Sequence, residues 1–171
     1  MGLTATPYRL DGEDLGYDTI AYQKTLLDLA SSGWLAQPRY VKVSTDRRYD
    51  LKIAGDFTKS SMEELGKDLT RVETVASHYL GNIKLYGQTV IFAPSVKCSN
   101  AIAEVLQNKG VKAASLSGKS DVLYREVVVN DFKKKRINVL VNVQLFTEGF
   151  SSDINTCLLY TSDAADDLLC V

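Results

Sequence analysis

Apolar residues recur along this chain at two alternating periods. Thr89 to Ala93 is a short, nearly continuous apolar run, and Val96 to Gln107 carries its apolar residues at helical spacing and closes at Gly110. Val111 to Leu116 is a second strand-like run, Asp121 to Lys135 a second helix, and Ile137 to Val143 a third strand with apolar residues on both faces. Helices alternating with two-sided apolar strands predict an α/β fold, a parallel sheet covered by helices on both faces through right-handed crossovers. In such sheets ligands gather at the carboxyl ends of the strands. The informative loops are therefore Pro94 to Lys97, Ser117 to Lys119 and Gln144 to Asp153.

The first half of the chain is less regular. Ser61 to Leu80 reads as a helix, with Met62, Leu65, Leu69, Val72, Val75, Ala76 and Leu80 stepping by three and four. Tyr17 to Leu35 has near-helical spacing with Gly33 at its end, and Pro38 to Ser44 alternates in strand fashion. Thr45 to Phe57 is polar and aperiodic and reads as a link between two units. Gly2 to Thr6 is a short β-branched run stopped by Pro7, which has no amide hydrogen for a sheet, so it reads as a strand end entering a loop.

Composition narrows the class. A chain of 171 residues with 45% hydrophobic and 24% charged residues is that of an ordinary globular protein, not a disordered one. With a net charge of -1, nucleic-acid binding would have to rest on a local patch. Arg9, Asp11, Glu13 and Asp14 interrupt the start before a signal peptide could form, and no apolar run reaches membrane-spanning length. The three cysteines, Cys98, Cys157 and Cys170, have no metal-site or disulfide spacing, so a reducing, cytoplasmic compartment is expected.

The loop residues have a chemistry of their own. Ser117 and Gly118 follow a strand and can offer backbone amides to a phosphate, or form a plain turn. Arg125 could clamp a phosphate or cap a helix face, and Asn142 at a strand end could bind a phosphate or a neighbouring loop. Gly149 reads as a close backbone approach or a turn. Lys133 to Arg136 suits a solvated helix terminus, where cations complement the dipole. His78, the single histidine, has no catalytic partner in the pattern.

Taken together, these segments resemble superfamily-2 helicases. Thr89-Val90-Ile91-Phe92-Ala93-Pro94-Ser95 is similar to motif IV of that family. Leu116-Ser117-Gly118 with Arg125 and Phe132 resembles the segment after it, and Val139 to Asn142 leading to Phe146-Thr147-Glu148-Gly149-Phe150 resembles motif V. Leu3-Thr4-Ala5-Thr6-Pro7 resembles motif III, and Gly33-Trp34-Leu35 with Pro38 resembles a linker of the branch related to restriction-enzyme motor subunits. The resemblance implies a RecA-like second motor domain over 58–156, preceded by the end of a first RecA-like domain over 1–45 and a linker over 46–57. It implies that Thr4 and Thr6 couple hydrolysis to domain closure, that Ser95, Ser117, Gly118, Arg125 and Asn142 hold a nucleic-acid backbone, DNA before RNA, and that Glu148, Gly149 and Asp153 border ATP.

The departures are equally specific. Ser151-Ser152-Asp153 stands where the family commonly has Asp and then Pro, and Val143 where DEAD-box relatives place a phosphate-binding Thr. Phosphoryl transfer needs a phosphate-cradling loop, an acidic box for Mg²⁺ and an arginine finger. None of the three motifs occurs in this chain, so ATP and Mg²⁺ are expected to act in an intact parent with the missing first domain, and the fragment alone to be inactive. The alternative is a non-catalytic nucleic-acid-binding or regulatory module.

From Cys157 the chain resembles translated sequencing-library adapter, because the codons TGT CTC TTA TAC ACA TCT GAC GCT GCC GAC would encode Cys157 to Asp166. Residues 157–171 are accordingly set apart from the fold reasoning. Read as protein, they would be a terminal strand, Leu158 to Tyr160, and a short acidic helix.

Overall fold

The computed structural model describes residues 16, 18–35, 52–53, 56–57, 69–146, 150 and 152–159. The chain divides into two units between residues 41 and 42. In the first, α1 (Leu26–Ser31) is much shorter than the helix expected over Tyr17 to Leu35. Thr25 is the reason. Its hydroxyl accepts from the Asp28 amide at 3.1 Å while the Asp28 carboxylate accepts from the Thr25 amide at 3.0 Å, a reciprocal cap that starts the helix there. The strand expected over Pro38 to Ser44 and the segment with Thr4 and Thr6 lie outside the described residues.

In the second unit, the stretch expected to be a featureless link contains a two-stranded antiparallel ladder, β1 (Lys52–Ile53) and β2 (Asp56–Phe57), with Lys52 opposite Phe57. Then follow α2 (Leu69–Gly81), α3 (Ile83–Tyr86), β3 (Thr89–Phe92), α4 (Val96–Asn108), β4 (Ala113–Leu116), α5 (Val122–Lys133), β5 (Val139–Asn142) and β6 (Thr156–Leu159). Periodicity had not indicated α3. The last four strands form one parallel sheet in the order β4-β5-β3-β6, so the α/β class read from the sequence is the class observed.

The two faces follow from the crossovers. The step from β3 out to β4 and the step back to β5 run in opposite directions across the sheet, and right-handed connections then put α4 and α5 on opposite faces. Ile91, Val139 and Val141 face α2 and α4, meeting Val72, Ala76, Tyr79, Ile102 and Leu106. Val90, Leu140 and Leu116 face α5, meeting Val128 and Phe132. The period-two alternation along each strand thus fills two separate cores.

Two ends are set by backbone geometry. Gly110, at φ +80°, takes the left-handed turn that closes α4, its amide donating to Gln107 O at 2.9 Å. At β6, residues 157–159 take the edge position beside β3, and Leu158 packs on the α2 and α4 side. Cys98 is a buried free thiol.

Candidate nucleic-acid interface

The carboxyl ends of β3, β4 and β5 bring three connections to one edge of the sheet. Ser95 begins α4 as its N-cap, accepting from the Cys98 amide at 3.2 Å, so its hydroxyl hydrogen remains for another acceptor. This local bond explains why a Ser follows the Ala93-Pro94 step: it satisfies a helix amide that would otherwise be orphaned.

The β4 to α5 connection is a tight, self-bonded loop. Ser120 Oγ accepts from the Ser117 amide at 2.9 Å, Ser117 Oγ accepts from the Lys119 amide at 3.3 Å, and Ser117 O accepts from the Ser120 amide at 3.0 Å. Asp121 then caps α5, its Oδ1 accepting from the Leu123 and Tyr124 amides at 3.0 and 3.1 Å. Arg125, one turn into α5, reaches back, and its Nη2 lies 3.4 to 3.5 Å from the carbonyls of Ser117, Gly118 and Ser120. Of the loop amides from 117 to 120, that of Gly118 has no hydrogen bond among the described residues. Gly118 is exposed, a Cβ there would meet nothing within 4 Å, and its φ is outside the left-handed region. Nothing inside the protein therefore requires glycine at 118.

Asn142 ends β5 at this edge but faces inward. It is fully buried, its Nδ2 donates to Ile91 O at 3.2 Å, and its Oδ1 accepts from the Leu145 amide at 3.3 Å. Its amide therefore ties β5 to β3 and shapes the following turn, where Gln144 takes φ +53°. Of the two readings open in the sequence, the neighbouring loop is what this side chain engages.

The β5 to β6 connection crosses the sheet from one edge to the other, because β6 is parallel to β3 and starts beside Thr89. Phe150 packs on the way down, its ring centroid 4.2 Å from that of Phe146 and 6.3 Å from that of Phe132. Asp153, close to the start of β6, is exposed and lies 3.7 Å from Lys135 Nζ in the turn between α5 and β5. Asp153 thus lies toward the amino-terminal edge of the sheet, beside Lys135. The parallel course of β6 is the cause. Glu148 and Gly149 lie outside the described residues. Lys133 to Arg136 are all exposed, as a solvated terminus requires.

Beside the loop, a cleft of about 500 Å³ lies between α4 and the edge strand β4, lined among others by Asn100, Glu104, Ser115, Lys119 and Tyr124. Ser115 Oγ lies 2.7 Å from both Asn100 Oδ1 and Ser99 Oγ. The sequence reading passed over these residues. Their signal is a hydroxyl in an otherwise apolar strand, opposite a polar pair spaced by four on α4. No cluster of three His, Cys, Asp or Glu suited to a metal ion occurs among the described residues.

A parallel sheet with its polar loops at the carboxyl edge is the arrangement in which α/β domains bind their ligands. The sequence profile of the helicase conserved C-terminal domain family matches residues 64–168, and the chain belongs to that family. It is 29% identical over 163 residues to the "Putative mitochondrial ATP-dependent helicase irc3" of Schizosaccharomyces pombe, covering 92% of this chain and 27% of the relative. It is 31% identical to a "51.5 kDa protein" of a Lactococcus phage, covering 92% of this chain and 34% of the relative. The chain thus spans about a quarter to a third of the length of these curated relatives. Among solved structures, the C-terminal domain of the DEAD-box protein Dbp5 aligns with a TM-score of 0.47 at 20% identity, over 55% of this chain and 52% of that one. The family match and the parallel four-stranded sheet with helices on both faces make the second unit the RecA-like second helicase domain that the resemblance implies.

Proposed function

We propose that this chain is the C-terminal motor part of an ATP-dependent helicase or translocase and that it holds the phosphate backbone of a single strand at the β4 to α5 loop. The observation that carries the reading is the free Gly118 amide on a loop whose carbonyls are gathered onto Arg125. An amide without a partner on an exposed glycine with open space where a side chain would stand suits close approach of a phosphate oxygen. Arg125 acts as a positioning residue, and Ser95 and Ser117 supply further hydroxyl donors. The likeness to the restriction-subunit branch favours DNA over RNA as the strand.

ATP and Mg²⁺ are proposed for the parent protein only, where the nucleotide would hold two RecA-like domains together and its hydrolysis release them. We assign no hydrolytic step to this chain, and Thr4 and Thr6 in coupling and Glu148, Gly149 and Asp153 in bordering the nucleotide are part of the proposal. The cytoplasmic assignment likewise remains part of the proposal; no described helix is long and apolar enough to cross a membrane.

The experiment is an anisotropy titration of a fluorescein-labelled oligothymidylate with the chain at several salt concentrations. Backbone gripping predicts binding whose log K falls with log salt by about 0.7 per phosphate engaged, without ATP. Absence of binding at low salt would overturn the reading.

A further inference from the structure

The cleft between α4 and β4 has a donor and acceptor pattern that the backbone grip does not use. Ser115 Oγ lies 2.7 Å from Asn100 Oδ1 and donates to it. That bond fixes the Asn100 carbonyl oxygen on Ser115 and leaves its NH₂, two donors without a partner among the described residues, on a residue that lines the cleft. Glu104, one turn further along α4, is on the same face and is acceptor only. It has no ion-pair partner among the described residues. Lys119, on the loop at the mouth, adds a second donor, and Tyr124 at the start of α5 offers a half-exposed aromatic ring. A carboxylate beside two donors and a ring is complementary to a planar group that presents two adjacent N–H donors and, next to them, a carbonyl acceptor.

Among nucleobases, guanine has that edge. Its N1–H and N2–H₂ can both reach one carboxylate, while its O6 accepts from an amide or ammonium. Adenine, cytosine and uracil lack the adjacent pair of donors. A cleft of about 500 Å³ is within the range of small-ligand sites and leaves room for a base and its sugar. We infer that this cleft is a base-reading site that takes a guanine splayed from the strand, with Glu104 and Asn100 as the specificity-determining pair and Tyr124 as the stacking surface. The inference rests on the strand-holding reading, since the cleft adjoins the Gly118 loop. It adds a sequence preference to a contact that would otherwise be indifferent to sequence.

The test follows amide shifts of the full ¹⁵N-labelled chain on titration with GMP, AMP, CMP and UMP. In parallel, anisotropy is measured with oligothymidylate and with the same strand carrying central guanines. The expected result is that GMP moves the Asn100, Glu104 and Lys119 amides with an affinity about tenfold above that for AMP. Glu104→Gln, on an exposed helix position, should bring that ratio close to one without changing the thermal midpoint. Equal responses to the four nucleotides, or shifts confined to other regions, overturn the inference. If the strands bind equally with and without guanine while GMP shows no preference, the base-reading site falls and the backbone grip stands. If GMP is preferred but neither strand binds, the cleft stands and the strand-holding reading falls.

Discussion

Asn142 donates its side-chain amide to the carbonyl of Ile91 at 3.2 Å, tying the ends of the two central strands together inside the sheet. Its carbonyl oxygen holds the Leu145 amide, so one buried side chain sets both the strand ends and the turn that leaves them. Asn142→Leu keeps the volume but removes the side-chain hydrogen bonds to Ile91 O and from the Leu145 amide. The expected loss is about 1 to 3 kcal/mol in urea denaturation. A loss of strand binding without a loss of stability would instead assign Asn142 to the ligand.

Gly87 sits at φ +56°, and a Cβ there would lie 2.7 Å from Asn155 Oδ1, which accepts from the Gln88 amide at 3.0 Å. Gly87→Ala should therefore cost about 1 to 3 kcal/mol through backbone strain and displacement of Asn155. In a double-mutant cycle with Asn155→Ala, the steric part should disappear and the backbone part remain, giving a coupling of about 0.5 kcal/mol or more. Additive effects would show that Asn155 moves aside freely.

Gly118→Ala is expected to leave stability within about 0.5 kcal/mol, because the added methyl meets open solvent. Under the proposed function the same change should weaken oligothymidylate binding severalfold by blocking close approach to the amide. Arg125→Met removes the group that gathers three loop carbonyls, so it should weaken binding and also lower the melting temperature. Unchanged binding in both variants would remove this loop from the interface.

Burial pushes the Cys98 thiol up to about 12 from an ordinary value of 9.0. The unfolded chain loses this proton at lower pH than the native one, so the native state binds more protons between those values. Stability from this site is full below pH 9 and should decline as pH rises toward 12. Cys98→Ser or Cys98→Ala should flatten that part of the stability profile measured by denaturant titration. Native Cys98 should also resist alkylation at pH 8, and rapid labelling there would contradict the burial.

Much of the second unit was legible along the chain. The boundaries of β3, α4, β4, α5 and β5 follow the apolar periods within one or two residues, because each element buries a face whose spacing is local. Asp121 at the head of α5 and Gly110 past the end of α4 are readable for the same reason. The Tyr17 to Leu35 helix was overextended because Thr25 and Asp28 set a start that apolar spacing does not register. The ladder of β1 and β2 was missed because each strand is two residues long, too short for any period to show.

The candidate site was legible by location and less so by residue. Ser117 and Gly118 share one loop and Arg125 reaches back to it from α5, yet its guanidinium goes to the loop carbonyls and only the Gly118 amide of residues 117–120 is left without a partner among the described residues. The sequence by itself determined the α/β class, the two-sided strands and the edge at which the polar loops gather, since these depend on spacing within segments. Only the tertiary structure decided the order β4-β5-β3-β6, the inward turn of Asn142, the position of Asp153 beside Lys135 and the cleft beside Ser115. Those depend on which distant segments pair and in which direction they run. Pairing is a competition among non-local contacts that no local period encodes.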